Sequence, residues 1–299
     1  MSSINRDKIQ QKMLPFVMEN IPPIYMEKAL IELNESKEGV ARALKEMRER
    51  AKANKRTCDI NFVDDFLLQF LRHRKYDTDR AFRQLLNFTE FRILHSEWFE
   101  CRGENIYNSP LKQYFSILPH RTADGCAVFI FEVGKWNPSK FSTDDLSREW
   151  LSLFFQSNRY PMTQINGYKV IYDFADTSFR HWRQCTPGNV YHVYNGTINC
   201  FPGRYKEIHL VNKNALMNAT WTIFKAFLSQ KLRNRAFFHM TPEGLLDHFP
   251  ASMLPEHYGG TLKEFKMEEM KEWKNRAYKF QHTFPPCGQP NLEKESYAE

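Results

Sequence analysis

The chain has 299 residues, of which 42% are hydrophobic and 26% charged, and its formal net charge is +7 at pH 7. This length fits one large domain or two, and the composition is that of an ordinary globular protein. An uncharged apolar run of about 18 residues is absent, which excludes a bilayer-spanning helix, and Met1–Lys12 lacks the apolar centre of a signal peptide. The six cysteines form no C-x-x-C pair, so we expect reduced thiols and a cytoplasmic protein.

The N-terminal third of the sequence predicts helices. Tyr25–Lys52 contains one Gly and no Pro and keeps apolar residues at helical spacing. A helix is predicted to begin at Asp64, because two adjacent acids precede an apolar run. Another is predicted over Asp79–Arg92 with Thr78 as its N-cap. We therefore expect a helical N-terminal domain over residues 1–100.

Short apolar runs alternate with helical stretches after Pro110. The predicted elements are strands at Ala127–Val133, Lys169–Phe174 and Glu207–Val211, a candidate fourth strand at Ala236–His239, and a helix at Asp144–Ser157. This alternation favours an α/β layer with largely parallel strands. We place that domain in residues 101–280 and expect an irregular tail over residues 281–299, which is rich in Pro.

The segment from Thr177 to Met240 is strongly basic. It contains nine Lys or Arg and a single acid, Glu207, so its local excess of positive charge is larger than that of the whole chain. The apolar stretch Ala215–Leu228 lies inside it. A cationic surface beside an apolar helix indicates a partner that is both anionic and apolar, and a membrane is the first candidate.

An amphipathic helix is predicted from Asn214, since no Pro or Gly occurs between Lys213 and Thr241. At about 100° per residue its apolar side chains occupy a band of roughly 160°, wide enough to cover a hydrophobic interior. If the helix continued for another turn or two, Lys231 and Arg235 would extend the axis of that band. Cations there would suit the rim of a cavity that faces lipid head groups, although a core helix with a solvated basic end fits the periodicity equally well.

Four segments of the chain resemble the CRAL-TRIO lipid-binding family. They are, in family order, Asp65–Asp77 (DFLLQFLRHRKYD), Gly167–Asp173 (GYKVIYD), Phe201–Asn212 (FPGRYKEIHLVN) and Leu254–Gly260 (LPEHYGG). Each segment alone is a weak signal, but four of them in order make a specific match. The similarity is greatest to the branch that contains the alpha-tocopherol transfer protein and cellular retinaldehyde-binding protein.

The resemblance implies a helical bundle followed by a sheet-floored pocket, which holds one hydrophobic molecule and is closed by a mobile gate helix at Asn214–Leu228. It also implies a basic cleft beside the gate that binds phosphoinositides such as phosphatidylinositol bisphosphate. The positions that match this cleft, all Lys or Arg here, are Arg74, Arg204, Lys206, Lys231 and Arg235. Neither a cofactor nor an enzymatic activity is implied.

We therefore expect a protein that carries a tocopherol-, retinoid- or other lipid-like molecule to or from membranes and docks on them reversibly. Each basic side chain near an anionic leaflet contributes about 1 kcal/mol to such docking. The predicted pocket residues are Phe129, Phe131, Phe155, Tyr172, Phe201, Ile208, Phe224 and Phe227. For each of them, packing in an ordinary Phe-rich core is the alternative.

The chain departs from the family pattern at several positions. Gln69 stands where Arg is usual, and Asp176 replaces a common Gly. Lys213–Asn214 replaces a usual Glu-Pro before the gate, and Ala226 replaces the Pro that normally kinks it. Without that Pro we expect a straighter gate helix.

Other functions remain open at the level of sequence. An enzyme could use acid/base groups, for which the candidates are Asp173, Asp176, His181 and His209, although the sequence has no H-E-x-x-H, G-x-S-x-G or phosphate-loop motif. A nucleic-acid-binding protein could use aromatic residues among the basic ones, namely Trp182, Tyr191, Tyr194 and Tyr205, but no known signature supports it. A lipid sensor or scaffold that does not transfer its ligand would share the same pocket.

Overall fold

The computed structural model describes residues 13–18, 20–99 and 110–263. The predicted C-terminal tail, residues 281–299, lies outside the described residues. In the described part of the chain, no helix is both long enough and apolar enough to cross a membrane.

Within the described residues, five α-helices precede the main sheet. They are α1 (Pro23–Leu33), α2 (Lys37–Ala53), α3 (Asp64–His73), α4 (Thr78–Leu94) and α5 (Ser96–Phe99). The stretch Tyr25–Lys52, predicted to be helical, divides into two helices, because Asn34 adopts a left-handed conformation (φ 63°) and ends α1. Ser36 then starts α2 by accepting a hydrogen bond from the Gly39 backbone N–H. The N-cap of α4 is Asp77, and the predicted cap, Thr78, instead donates its hydroxyl to Glu46.

The main sheet has five strands, in the order β2-β4-β5-β6-β7. Its strands are β2 (Phe115–Ile117), β4 (Ala127–Glu132), β5 (Tyr168–Asp173), β6 (Tyr205–Val211) and β7 (Ala236–Phe238). Strand β2 runs antiparallel to β4, and the remaining neighbours are parallel. A separate two-stranded sheet joins β1 (Leu14–Pro15) to β3 (His120–Arg121). All four predicted strands are present, and the expected α/β fold is confirmed.

Helices and short turns connect the parallel strands. The helices are α6 (Thr143–Ser157), α7 (Pro161–Asn166), α8 (Phe179–Trp182), α9 (Pro187–Tyr194), a π-helix at Asn195–Cys200, α10 (Ala215–Phe227) and α11 (Gln230–Arg233). Helix α6 begins with a capping box in which Ser142 and Asp145 each accept a hydrogen bond from the other's backbone N–H. After β7, residues 242–258 form successive 3₁₀ turns.

Alternation along β4 divides the core between the two faces of the sheet. Phe129 belongs to a large cluster that also contains residues of α3, α4 and α6, such as Phe88 and Phe154. Its neighbours Val128 and Ile130 point to the opposite face, where they pack with residues of the C-terminal 3₁₀ turns. The N-terminal helices therefore share one continuous core with the α/β part, whereas the domain limits drawn from the sequence stay a prediction.

Polar contacts also join the helical and α/β parts. The Arg72 guanidinium pairs with the Glu35 carboxylate at 2.6 Å and donates to the side-chain carbonyl of Gln164. The amide of Asn158 donates to the buried Gln69 side chain at 2.9 Å. Because buried polar groups are costly without partners, these bonds fix the position of the helices on the α/β part.

Candidate ligand-binding cavity and basic cluster

A cavity opens above the carboxyl ends of the parallel strands. Its floor includes one row of residues across the sheet, in which Phe131 is paired with Tyr172 and Tyr172 with Leu210. Its volume is about 190 Å³. The carboxyl edge of a parallel sheet is where α/β folds generally bind ligands.

The cavity lining is almost entirely apolar. Helix α6 contributes Leu146, Trp150 and Leu151, and α9 contributes Val190 and Val193. The few polar side chains largely bond to protein groups. His181, for example, accepts the Ser178 backbone N–H at Nδ1 (2.9 Å), so its Nε2–H donates to the Trp136 carbonyl at 2.8 Å. A site of this kind suits a ligand that is mainly hydrocarbon.

Helix α10 covers one side of the cavity with Leu216, Thr220, Trp221 and Phe224. The predicted start at Asn214 is confirmed: its side-chain carbonyl caps the Met217 N–H, and its amide donates to the Phe174 carbonyl at 2.8 Å. The helix ends at Phe227, one residue after Ala226, and the straighter gate expected from the absence of Pro stays a prediction.

The helix ends before the basic residues that follow it. Leu228 has an extended conformation (ψ 140°), and Ser229 caps the separate short helix α11. The helix therefore does not continue for another turn or two, which was the condition for Lys231 and Arg235 to extend the apolar band.

The predicted pocket residues divide into two groups. Phe131, Tyr172, Ile208 and Phe224 line the cavity. The remaining ones are not among the lining residues, namely Phe129, Phe155, Phe201 and Phe227. Phe129 lies on the same face of β4 as Phe131 but two residues earlier in the strand. At that level the Phe154 ring covers it, at a centroid distance of 5.0 Å.

The other three residues outside the lining pack against neighbouring rings. Phe155 and Phe201 contact each other at 4.9 Å, in the core shared with the N-terminal helices. Phe227, near the end of α10, packs against Tyr191 and Tyr194 of α9, each at 5.6 Å. It therefore joins two helices outside the cavity.

Cations from three parts of the chain meet near the end of α10. Repulsion by Arg235, with contributions from burial, Lys75 and Arg204, lowers the pKa of Lys231. Mutual repulsion of this kind shows that the charges of Lys231, Arg235, Lys75 and Arg204 act on one another. We call these four side chains the basic cluster. Lys231 is exposed, and the Arg235 guanidinium donates to the Tyr205 carbonyl.

Arg204, together with the predicted residue Lys206, extends the basic cluster toward α1. Arg204 donates to the Ile165 carbonyl and lies 3.6 Å from a Glu32 carboxylate oxygen. Lys206 lies 3.7 Å from the same oxygen, and burial together with Arg204 lowers its pKa. Glu32 thus offsets part of the positive charge at this end.

Arg74 is not among the charges that act on Lys231. Its Nε donates to the Gln84 side-chain carbonyl at 2.8 Å, and the charges that act on it are those of Arg80, Asp77 and Arg83. The residue after it, Lys75, takes its place in the basic cluster. The sequence shows that Lys75 is basic. It does not show the left-handed backbone conformation (φ 56°) with which the Lys75 side chain reaches the basic cluster.

The candidate acid/base groups are engaged in separate interactions. Asp173 accepts hydrogen bonds from Asn212 and from Tyr258, the latter at 3.0 Å. His181 bonds as described above on the cavity side, whereas His209 bonds to Glu207 on the opposite face of the sheet. Asp176 adopts a left-handed conformation (φ 55°), which explains how a position usually held by Gly accommodates it.

Comparison with known proteins agrees with this geometry. A family model described as the CRAL/TRIO domain matches residues 111–260. The chain belongs to the CRAL/TRIO family. Human alpha-tocopherol transfer protein-like is 32% identical over 246 residues, covering 79% of this chain and 70% of the relative. Mouse clavesin-1 is 27% identical over 294 residues, covering 92% of this chain and 82% of the relative.

A solved structure shows the same fold as this CRAL/TRIO chain. The crystal structure of Sfh5 matches it with a TM-score of 0.55 at 10% identity, covering 83% of this chain and 98% of the other. At that identity the match concerns the fold alone. The family resemblance drawn from the four sequence segments is thereby confirmed.

Several cavity residues of this CRAL/TRIO chain were not predicted from the sequence. Trp136 and Trp150 line the cavity, as do Val133 and Trp221. Trp221 belongs to the apolar band predicted for the gate helix, which was the available signal. The other three are Val133, Trp136 and Trp150. They come from separate parts of the sequence, and only folding brings them together around the cavity.

Proposed function

We propose that the protein binds a hydrophobic small molecule, tocopherol-, retinoid- or other lipid-like, in the cavity beneath α10 and transfers it to or from membranes. The observation that carries the proposal is the almost wholly apolar lining of that cavity. Burial of apolar surface contributes about 25 cal/mol per Å², so a large lipid needs no covalent bond to be held. Membership of the CRAL/TRIO family and the relative named for tocopherol transfer support it.

Helix α10 acts as the gate in this proposal. Its first turn is held firmly, since Leu216 and Met217 are buried and Asn214 bonds to the neighbouring loop. From Asn218 to Phe227 its residues are partly or fully exposed. This difference favours an opening motion that pivots at the N-terminal end and lifts Phe224 away from the sheet.

Phosphoinositide docking is the second part of the proposal. Arg204, Lys206, Lys231 and Arg235, with Arg74 at the edge, supply the charge. Mutual repulsion at Lys231 supports it, because an anionic head group would relieve that repulsion through charge-assisted hydrogen bonds. The cations adjoin the end of α10, so a docked head group would lie beside the moving part of the gate.

Vesicle flotation tests the docking. We expect Lys231→Glu/Arg235→Glu to lose most of its binding to vesicles that contain phosphatidylinositol bisphosphate. The matched control is Lys45→Glu/Lys52→Glu, which makes the same change in net charge on the exposed side of α2. Equal binding by both variants would contradict the docking site.

Ligand identity is tested separately by mass spectrometry of the organic extract from the purified protein. We expect one hydrophobic compound per chain, and its transfer between vesicles. An empty extract that no added tocopherol, retinoid or phospholipid can fill would contradict the carrier. Retention of the ligand without transfer would instead identify a sensor or scaffold, and a chemically altered ligand would indicate an enzyme.

A further inference from the structure

Three histidines meet on the face of the sheet opposite the cavity. His209 lies on β6 between two residues that line the cavity, so its side chain points the other way. His239 directly follows β7, and His248 directly follows the 3₁₀ turn Pro242–Asp247. One nitrogen from each ring lies within 4.8 Å of those of the other two.

Hydrogen bonds orient the first two rings. The Glu207 carboxylate, which is paired with the Lys169 ammonium at 3.0 Å, can only accept, so His209 Nε2 donates to it at 3.1 Å. His209 Nδ1 therefore carries a lone pair, which points to His239 Nε2 at 3.0 Å. A histidine whose outer N–H is held by a carboxylate is the arrangement that metal-binding histidines generally show.

Apolar rings pack against two of the three histidines. Phe237 stacks on His209 at 5.2 Å and lies 4.5 Å from His248, while Phe249 contacts His209 from another side at 5.0 Å. Gly244 leaves room for the His239 ring, because a Cβ there would lie 2.8 Å from Nδ1. The rings are thus held in place before any ligand arrives, which reduces the cost of binding one.

The charges near the cluster are compatible with a cation. The Lys169 ammonium is paired with Glu207 at 3.0 Å and with Asp124 at 3.8 Å. Asp247 faces both His239 and His248, since its negative charge acts on each of them. Two carboxylates therefore lie around the three imidazoles.

We propose that His209 Nδ1, His239 Nε2 and one ring nitrogen of His248 bind a divalent transition-metal ion of the zinc class. Three histidines with a fourth position open to solvent form a known zinc arrangement, with Zn–N distances of about 2.0–2.1 Å. Tetrahedral geometry at those distances separates the nitrogens by about 3.3 Å, close to the 3.0 Å between His209 and His239. The ion replaces the proton between these two nitrogens, and that proton moves to His239 Nδ1.

The site joins the two strands at the edge of the sheet to the C-terminal turns. The His239 backbone N–H donates to the Leu210 carbonyl, and its carbonyl accepts from Lys213, one residue before the cap of α10. A bound ion would therefore fix the base of the gate from the side away from the ligand.

Cobalt titration tests the proposal on the full-length chain, produced without a polyhistidine tag, stripped with chelator and with exposed thiols alkylated. We expect one equivalent of Co²⁺ to give the visible bands of tetrahedral coordination and Zn²⁺ to abolish them. His248→Gln, which changes the least buried ligand, should lose the bands, whereas the exposed His257→Gln should keep them. Glu207→Gln should weaken binding about 10- to 100-fold, since it removes the carboxylate behind His209.

Zn²⁺ should also raise the thermal unfolding temperature of the unmodified chain and not that of His248→Gln. Circular dichroism establishes that each variant is folded, and Glu207→Gln provides an independent measurement if His248→Gln is not. No saturable Co²⁺ binding by the unmodified chain, or equal affinity in His248→Gln, would overturn the proposal.

Discussion

His73, the last residue of α3, illustrates how one side chain experiences the basic cluster. Burial is the main reason that its pKa falls from 6.5 to about 3, and Arg74, Arg204 and Lys231 lower it further. Its bond to the Pro202 carbonyl acts in the opposite direction but is weaker. The folded protein therefore holds this imidazole neutral.

The neutral imidazole leads to a prediction about acid stability. Above pH 6.5 His73 is neutral in both states, but below it the unfolded chain gains a proton that the folded protein takes up only near pH 3. Its contribution to the free energy of unfolding then falls by up to about 1.4 kcal/mol per pH unit. We expect His73→Gln to lose stability less steeply than the unmodified chain between pH 6.5 and 5, as measured by urea denaturation.

The exposed His257→Gln is the control for that measurement and should follow the unmodified chain. Parallel stability curves for His73→Gln and the unmodified chain would contradict the prediction. Low ionic strength should enlarge the effect slightly, because the neighbouring cations are then less screened.

At the level of elements, the gate helix and the strands were largely predictable. The start of α10 follows from the Asn214 cap and its buried side from an apolar band of helical period, both of which are local features. Its end at Leu228 came only from the family resemblance, because no Pro or Gly marks it in the sequence and the backbone turns there to begin α11. Extending the helical periodicity beyond Leu228 therefore gave a wrong position for Lys231 and Arg235 relative to the apolar band.

Pocket residues were harder to predict than the faces of the strands on which they lie. Period-2 alternation gives Phe129 and Phe131 the same face, yet only Phe131 reaches the cavity, because the level along the strand depends on where α6 packs. The histidine cluster was missed for a similar reason. His209, His239 and His248 have no short-range metal spacing. The pairing of β6 with β7 brings the first two together, and the 3₁₀ turn Pro242–Asp247 brings the third.

A crosslink between α10 and its neighbour tests whether the gate moves. Cys185 Sγ lies 3.2 Å from Thr220 Oγ1, which is on the cavity side of α10. We expect Thr220→Cys to form a disulfide with Cys185 on oxidation, since the two side chains are already in contact. Ligand exchange with vesicles should then slow by at least tenfold and recover on reduction.

The double variant Cys185→Ser/Thr220→Cys separates the crosslink from the substitution itself. It should exchange ligand at the same rate under oxidising and reducing conditions. Fast exchange through a fully formed disulfide, measured by mass and by transfer rate, would show that the ligand leaves by a route other than the lifting of α10.

At the scale of the whole molecule, one side combines the gate with both charged and apolar exposed residues. Helix α8 packs against α10, and its Phe179 and Trp182 are 69% and 49% exposed. On the other side of α10, exposed Phe238 contacts Trp221 at 5.2 Å. Lys231 follows the end of the helix. A surface of this composition can meet head groups and acyl chains at once.

The two kinds of contact should respond differently to salt. Screening weakens the attraction of exposed charges to an anionic membrane, whereas apolar insertion persists. We expect Phe179→Ser/Trp182→Ser to bind phosphoinositide vesicles more weakly at every salt concentration and to remain salt-sensitive. Lys231→Glu/Arg235→Glu should bind weakly but almost independently of salt. Flotation from low to high NaCl measures both, and an identical salt dependence in the two variants would show that charge and apolar contact do not act as separate parts of one docking face.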